Sequence, residues 1–472
     1  MAKVLFVQKL WYESLGVMQI SAAAKMKGHQ THLWMDNGNY RSLFKLVKKY
    51  RPDVIGFALM TGQHVWALEV SKRLKEGLNN IKPLILYGGP HPTFFPGIVG
   101  EKSVDIICRG EGERAFVELL DCIDNNKDYS GVSNLWVKNG QEIIKNDMRP
   151  LINDMDSLPF MDRELFYRYS YFRDNPNKMF IASRGCPFKC AFCFNEKYSQ
   201  LYNVNQKNVR RRSPENMVEE IKLVKGEYKA TKVIRFHDDI FTLDRDWLFR
   251  FLEIYKKEVN MPFMCYIRAG IDKEEVIKAL AEARCVRVTF GLETGNEKIR
   301  SELLGKTTPD KTIRKTCALL KKYKIKFYTN NIFFIPQTNI GNVWETIEFN
   351  QELRPDYVMN HVFQPYPGTA LNEYFLKNGY MKDNYLDNMR TIYSLSVFSK
   401  PDTDEELNIY YFATLLIKFP WLTPFIKPLT KCMPNILFLI IYKVVAGLDY
   451  MLRCNLGFFR FMREAYHSYS FR

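Results

Sequence analysis

The chain has 472 residues, 46% hydrophobic and 25% charged, a globular composition with enough apolar material for more than one core. Lysine and arginine outnumber aspartate and glutamate by 68 to 52, and the net charge of +16 favours anionic partners (nucleic acid, anionic lipid or phosphate-bearing substrates) without choosing among them. The first apolar run, Val4 to Val7, is too short for a secretory signal, and ten cysteines without a paired framework argue against a disulfide scaffold and for a reducing cytoplasm.

Residues 1–145 alternate strand and helix signals. Strands are expected at Val4–Val7, His32–Met35, Asp53–Leu59, Pro83–Tyr87 and Val104–Cys108. Helices are expected at Gly16–Met26, Ser42–Lys49 and Val65–Leu78. This alternation implies a doubly wound parallel sheet of flavodoxin or Rossmann type. Such sheets bind ligands at the carboxyl ends of their strands. The turns Thr61-Gly62, Gly88-Gly89 and Gly110-Glu111-Gly112 fall at those ends, where glycine lets backbone approach a flat ligand. Any doubly wound domain needs such turns, so alone they speak for a fold. His29, His32 and His91 are read as structural.

Residues 146–175 read as a linker. Pro150 and Pro159 break periodicity, and the aromatic, polar run beginning at Tyr167 suits a connector crossing the surface.

Residues 176–372 open with the apolar run Met179–Ala182 and then Cys186, Cys190 and Cys193, a CxxxCxxC within eight residues. Three thiolates on one loop hold three irons of a cubane cluster and leave the fourth iron open. A structural zinc site wants four ligands, commonly as two CxxC pairs, and the next cysteine, Cys265, is far along the chain. The basic run Asn208–Ser213 reads as a solvated face, followed by a helix from Pro214 with Ser213 as its cap. Strands follow at Lys232–Phe236, Phe263–Ile267, Val286–Phe290, Lys326–Ile335 and Tyr357–Phe363, with helical stretches between. With the strand before Cys186 they make about six βα units, short of an eight-fold barrel. Asp238 and Asp239 end one strand, where barrels carry their chemistry, and the alternative is that they cap the helix near Trp247. Arg268 and Glu293 end two others, and for them the alternative is a rim ion pair.

Residues 373–472 change in composition. Tyr410–Pro428 and Ile436–Met451 are apolar and aromatic with Lys418, Lys427, Lys431, Lys443, Arg453 and Arg460 interspersed. The second run is shorter than the roughly 20 uninterrupted apolar residues of a membrane span. A helical cap over the barrel mouth is the favoured reading, and an interfacial helix on anionic lipid is the alternative.

The CxxxCxxC with Phe192 before its last cysteine resembles the signature of the radical S-adenosylmethionine (SAM) superfamily. A preceding domain with Gly88-Gly-Pro-His-Pro-Thr93 and Arg109-Gly-Glu-Gly-Glu113, and later Gly291-Leu-Glu-Thr294, Gly305-Lys-Thr307 and Pro365–Thr369, resembles its cobalamin-dependent members. The resemblance implies a cobalamin-binding domain, a partial (β/α)6 barrel and a mostly helical C-terminal region. It implies a [4Fe-4S] cluster on Cys186, Cys190 and Cys193, and SAM contacts from Phe192, Asp238, Asp239, Arg268 and Glu293. Cobalamin contacts would come from Thr61, Gly88, Gly89, Gly110 and Glu111. The DxHxxG motif that supplies a lower cobalt ligand is absent, the matching region reading Trp11–Gly16, and the glycine-rich SAM motif is degenerate at residues 333–341.

The implied activity is methylation of an unactivated carbon of a small-molecule or lipid-like substrate, with a flavodoxin or ferredoxin as electron donor. A non-methylating radical reaction, such as oxidative ring closure, uses the same parts. A tRNA methylthiotransferase needs a second cysteine triad before Cys186, and only Cys108 and Cys122 lie there. A membrane-surface or RNA-binding protein with a vestigial cluster is the non-enzymatic alternative, and the intact triad argues against it. A nucleic-acid partner is not expected. The expected location is cytoplasmic, with peripheral membrane contact through the C-terminal region.

Overall fold

The computed structural model describes residues 1–78, 80–202, 209–271, 273–381, 385 and 403–454. By their contacts these form two units: Met1–Pro176 with Tyr228–Ala230, and Asn177–Glu227 with the described residues from Thr231 onward.

The first unit is built on a seven-stranded sheet. Strands β1 (Lys3–Gln8), β2 (Gln30–Met35), β3 (Val54–Ala58), β4 (Leu84–Gly88) and β5 (Ile106–Cys108) are parallel. β6 (Leu135–Asn139) and β7 (Glu142–Lys145) add an antiparallel hairpin, giving the order β2-β1-β3-β4-β5-β6-β7. Val4, Leu5, Val54, Ile55, Ile85, Ile106 and Ile107 are fully buried, as parallel strands covered on both faces require. Helices Leu15–Met26, Tyr40–Tyr50, His64–Gly77 and Glu113–Asp124 provide the cover. The order reverses between β1 and β3, which sets a crevice at the strands' carboxyl ends. The hairpin has no counterpart among the expected elements. Its two-residue loop, Gly140-Gln141 with Gly140 at φ +63°, has glycine first, an ordinary hairpin signal.

The stretch expected to cross the surface is instead packed into this unit. Leu165, Phe166, Tyr167 and Phe172 are buried, and Asp162 accepts from Ser21 Oγ at 2.5 Å and Lys25 Nζ at 2.9 Å. Apolar residues at these positions outweigh the prolines that suggested an exposed connector.

The second unit begins with β8 (Asn177–Phe180) and a short antiparallel pair, β9 (Ser183–Arg184) with β10 (Arg210–Arg211). Then come β11 (Val233–Phe236), β12 (Phe263–Tyr266), β13 (Cys285–Glu293), β14 (Lys326–Phe333) and β15 (Tyr357–Val362). The six long strands form one parallel sheet in the order β15-β14-β13-β12-β11-β8. Helices Pro214–Glu227, Arg245–Glu258, Glu274–Glu282, Asp310–Lys322 and Ile340–Leu353 make the five crossovers. This is the partial barrel expected from the sequence.

Two expectations are corrected here. The basic run is not a solvated face: Arg210 and Arg212 are buried, Arg212 pairs with buried Glu220, and Arg211 lies over the Trp247 ring at 5.2 Å. Asn208 lies outside the described residues. Nor do the described helices Thr403–Lys418 and Ile436–Cys454 cap the barrel mouth. Helix Thr403–Lys418 packs its Ile409, Ala413 and Leu416 against Val358 and Val362 on the outer face of β15, covering that edge strand. The end of helix Ile436–Cys454 reaches the barrel foot, where Arg453 bonds the Tyr328 hydroxyl and accepts from Arg287 Nη1 at 2.5 Å. Tyr328 and Arg287 sit in the amino-terminal parts of β14 and β13, away from the mouth. Arg460, counted with this region, lies outside the described residues.

Candidate active site

The cysteine loop follows β9 at the carboxyl end of the sheet. Gly185 at φ +97° starts it, and Cys193 N donates to Cys190 O at 3.0 Å. Two contacts hold it from outside: Ala191 N donates to Leu304 O at 3.0 Å, and Leu371 N donates to Ala191 O at 2.9 Å. Gly305, at φ +64°, lets the chain pass Lys189, whose carbonyl would lie 2.8 Å from any added Cβ. Phe192 packs among Leu304, Ile335 and Phe363.

Cys186, Cys190 and Cys193 are free thiols, half-buried. Burial pushes Cys186 up to about 11 and Cys193 up to about 12, and the neighbouring thiols and Asp239 add to both. Cys186 and Cys193 are therefore protonated until a metal displaces the protons. Among the described residues no three His, Cys, Asp or Glu side chains converge on one metal ion. A cubane asks for something else, one thiolate on each of three irons. Three thiols within electrostatic reach on one loop meet that requirement.

The guanidinium of Arg268 lies over the Phe188 ring at 3.8 Å, with Nη1 3.6 Å from Cys190 Sγ. Positive charge there offsets the negative charge that three thiolates bring. Asp238 and Asp239 separate by role. Asp238 is fully buried and accepts from Ala182 N at 3.1 Å and from Ser183 Oγ, tying the start of the cysteine loop to β11. Asp239 stays open to solvent while walled by protein, as a cavity-lining group does, and its carboxyl is raised by burial against a hydrogen bond from Asn195. Neither caps the helix near Trp247; Asp244 does, accepting from Trp247 N at 3.0 Å.

Glu293 ends β13 at a bulge, in left-handed backbone at φ +69°. Its Oε1 accepts from Lys306 Nζ at 2.8 Å, and Lys306 also donates to Gly291 O at 2.5 Å. The rim ion pair considered for Arg268 and Glu293 is thus replaced by Glu293 with Lys306. The lysine comes from the segment Gly305-Lys-Thr307, and nothing local in the sequence marks it as the partner of Glu293. The pairing depends on a loop thirteen residues away.

Strand alternation puts His237, Tyr266, Arg268, Asn330 and His361 on the inner face. Burial, then the Arg235 charge, lowers His237 to about 3, so it is neutral. His237 Nε2 and Asn330 Oδ1 are buried without a partner among the described residues. Unpaired buried polar atoms fit a polar occupant of this interior.

In the first unit, Thr61 Oγ1 and His91 Nδ1 are 3.2 Å apart, and the His91 ring is stacked between His64 at 4.2 Å and Phe95 at 5.1 Å. Gly89, at φ +90°, lies so close to β3 that a Cβ would meet Leu59 N at 2.9 Å, while Gly88 faces open space. Gly110 N donates to Thr93 Oγ1 at 3.0 Å. Glu111 accepts from Ile152 N at 2.8 Å. A backbone-lined crevice with an open glycine fits a flat macrocycle. His29, bonded to Ala2 N and Asp121, and His32, bonded to Leu33 O, are engaged internally, as expected. In the region without DxHxxG, Glu13 sits with Tyr167 and Arg163.

The radical SAM superfamily model matches residues 180–349, and a B12-binding domain model matches residues 4–120. A methyltransferase named as uncharacterized, from Pyrococcus horikoshii, is 31% identical over 344 residues, covering 72% of this chain and 72% of its own. The anaerobic magnesium-protoporphyrin IX monomethyl ester cyclase of Cereibacter sphaeroides is 26% identical over 377 residues, covering 75% of this chain and 59% of its own. The solved structure of the radical SAM methyltransferase TsrM from Kitasatospora setae superposes with a TM-score of 0.66 at 14% identity, covering 80% of this chain and 76% of that one, a likeness of fold. With both domains matched in order around an intact CxxxCxxC, the chain belongs to the cobalamin-binding branch of the radical SAM superfamily, enzymes that work with a [4Fe-4S] cluster, SAM and cobalamin.

Proposed function

We propose that the protein methylates an unactivated carbon of a small-molecule or lipid-like substrate. The observation that carries this reading is the cysteine loop clamped at the barrel mouth by Leu304 and Leu371, in a chain whose first domain matches a B12-binding domain. When bound, the cluster supplies the electron that cleaves SAM to a hydrogen-abstracting radical, and cobalamin carries the methyl group. Cys186, Cys190 and Cys193 each hold one iron. Arg268 and Asp239 stand beside that loop to meet the charged ends of SAM, and Phe192 supports the loop from the apolar side. Glu293, held by Lys306, accepts hydrogen bonds from SAM. Asp238 acts from behind as a positioning residue, since its carboxylate is committed to Ala182 and Ser183. Thr61, Gly88, Gly89 and Gly110 form the cobalamin crevice, with Glu111 fixing its wall through Ile152. A flavodoxin or ferredoxin delivers the electron in a reducing cytoplasm.

The protein should be purified anaerobically, reconstituted with iron, sulfide and cobalamin, and given SAM and a strong reductant. Iron and cobalt both bound, with 5′-deoxyadenosine and S-adenosylhomocysteine both formed, support methyl transfer. S-Adenosylhomocysteine is what remains when SAM gives up its methyl group. 5′-Deoxyadenosine alone would favour the ring-closing alternative, for which similarity to the cyclase speaks. Cys190→Ala should lose the iron and both products.

A further inference from the structure

Helix Ile436–Cys454 has two unlike faces. One docks on helix Thr403–Lys418: Phe438 is buried, its ring 4.9 Å from Phe412, and Tyr442 bonds Tyr410 at 2.9 Å. The opposite face of a helix docked this way is normally charged. Here it carries Ile436, Ile440, Val444, Leu448 and Leu452, a row at four-residue spacing with relative exposures from 49% to 70%. The segment before it adds exposed apolar side chains: Trp421 is 66% exposed, Phe425 70% and Met433 77%. Isolated exposed apolar side chains need no explanation, but a row of five along one helix marks a surface that something covers.

Charge indicates what covers it. From Phe419 to Cys454 the chain holds Lys427, Lys431, Lys443 and Arg453 and one acid, Asp449. That acid is turned inward, its side chain 10% exposed and 3.7 Å from Lys418 Nζ. Lys431 and Lys443 are exposed beside the strip. A second copy would bring like charge against like. An anionic bilayer surface offers both an apolar boundary and opposite charge. No described helix is long and apolar enough to cross a membrane, so a lipid contact through this one would run along the surface, not across it.

We propose that residues 419–454 form an interfacial anchor that holds the protein on an anionic lipid bilayer, with Trp421, Phe425, Ile440 and Val444 inserted and Lys431 and Lys443 at the headgroups. This stands apart from the reaction and does not depend on it. The test is flotation of the full, cofactor-loaded chain with vesicles of phosphatidylcholine alone and with vesicles containing equal parts phosphatidylglycerol. About tenfold more protein should float with the anionic vesicles, and salt should weaken the binding. Ile440→Glu with Val444→Glu should abolish flotation. Lys431→Ser with Lys443→Ser should reduce it about tenfold. Retained iron, cobalt and thermal melting in each variant show that the fold survives. Failure to float, equal binding to neutral vesicles, or binding indifferent to the Ile440 and Val444 changes would overturn the proposal. So would self-association in the absence of lipid that the same two changes abolish, which would make a second copy the occupant.

Discussion

At the scale of single residues, buried titratable groups are handled in two ways. His91 is held neutral: burial, then the His64 ring stacked on it, lowers it from 6.5 to about 3. The unfolded chain therefore takes up a proton below pH 6.5 that the folded chain refuses. Stability from this group is fully present above 6.5 and is lost as pH falls toward 3, by about 1.4 kcal/mol per pH unit. Denaturant melts across this window should show that slope, and His91→Asn should flatten it. An unchanged slope would mean that other groups dominate acid sensitivity. Glu293 and Lys306 form the other kind, a buried ion pair, each about 10% exposed and 2.8 Å apart. Removing one partner of a buried pair strands the other, so Lys306→Met should cost about 3 kcal/mol in a denaturant melt. Glu293→Gln keeps the shape and should weaken SAM binding by equilibrium dialysis about tenfold, the loss of one charge-assisted hydrogen bond. Undiminished SAM binding would remove Glu293 from the site.

At the scale of elements, the cysteine loop depends on a neighbour that no local pattern reveals. Gly305 has a left-handed backbone and no room for a Cβ beside Lys189 O. Gly305→Ala should therefore cost about 1–2 kcal/mol and shift the loop, lowering iron retained per chain after desalting. Full iron retention would show that the loop holds its shape without that turn. The same contrast decides what the sequence made legible. The CxxxCxxC lies within eight consecutive residues, and the barrel strands are runs of Val, Ile and Phe bounded by charged ends. Such local signals were readable. What long-range partners decide was not. Arg210 and Arg212 look like a basic face until Glu220 and Trp247 close over them. Phe334 takes a left-handed turn at φ +60° because Glu406, seventy-two residues later, accepts from its N–H at 2.5 Å. The β6–β7 hairpin has only Gly140 as a local turn signal, since its strands mix polar and apolar residues without a clean alternation.

At the scale of the whole molecule, two units with separate cores carry the residues proposed for different cofactors. One core gathers Leu5, Ile55, Ile85 and Ile107, and the other gathers Val358, Val362, Ile409 and Leu416. A ligand that binds only the folded state stabilises it by about 2.7 kcal/mol at a hundredfold excess over its Kd, and amides slow their exchange where opening would break its contacts. Cobalamin, added to the apoprotein, should therefore protect residues 59–62, 88–93 and 109–112, where the turns end β3, β4 and β5. Iron and sulfide should instead protect residues 185–193, with 304–305 and 371, because Leu304 and Leu371 hold the cysteine loop through the backbone. Hydrogen-exchange mass spectrometry with each addition alone reads both patterns from one chain. Cobalamin-dependent protection confined to other residues would move its site away from the strand ends. Iron-dependent protection that spared 304–305 would mean that the clamp on the cysteine loop does not carry the cluster's stability. The pattern thus tests each cofactor assignment separately, before any substrate is known.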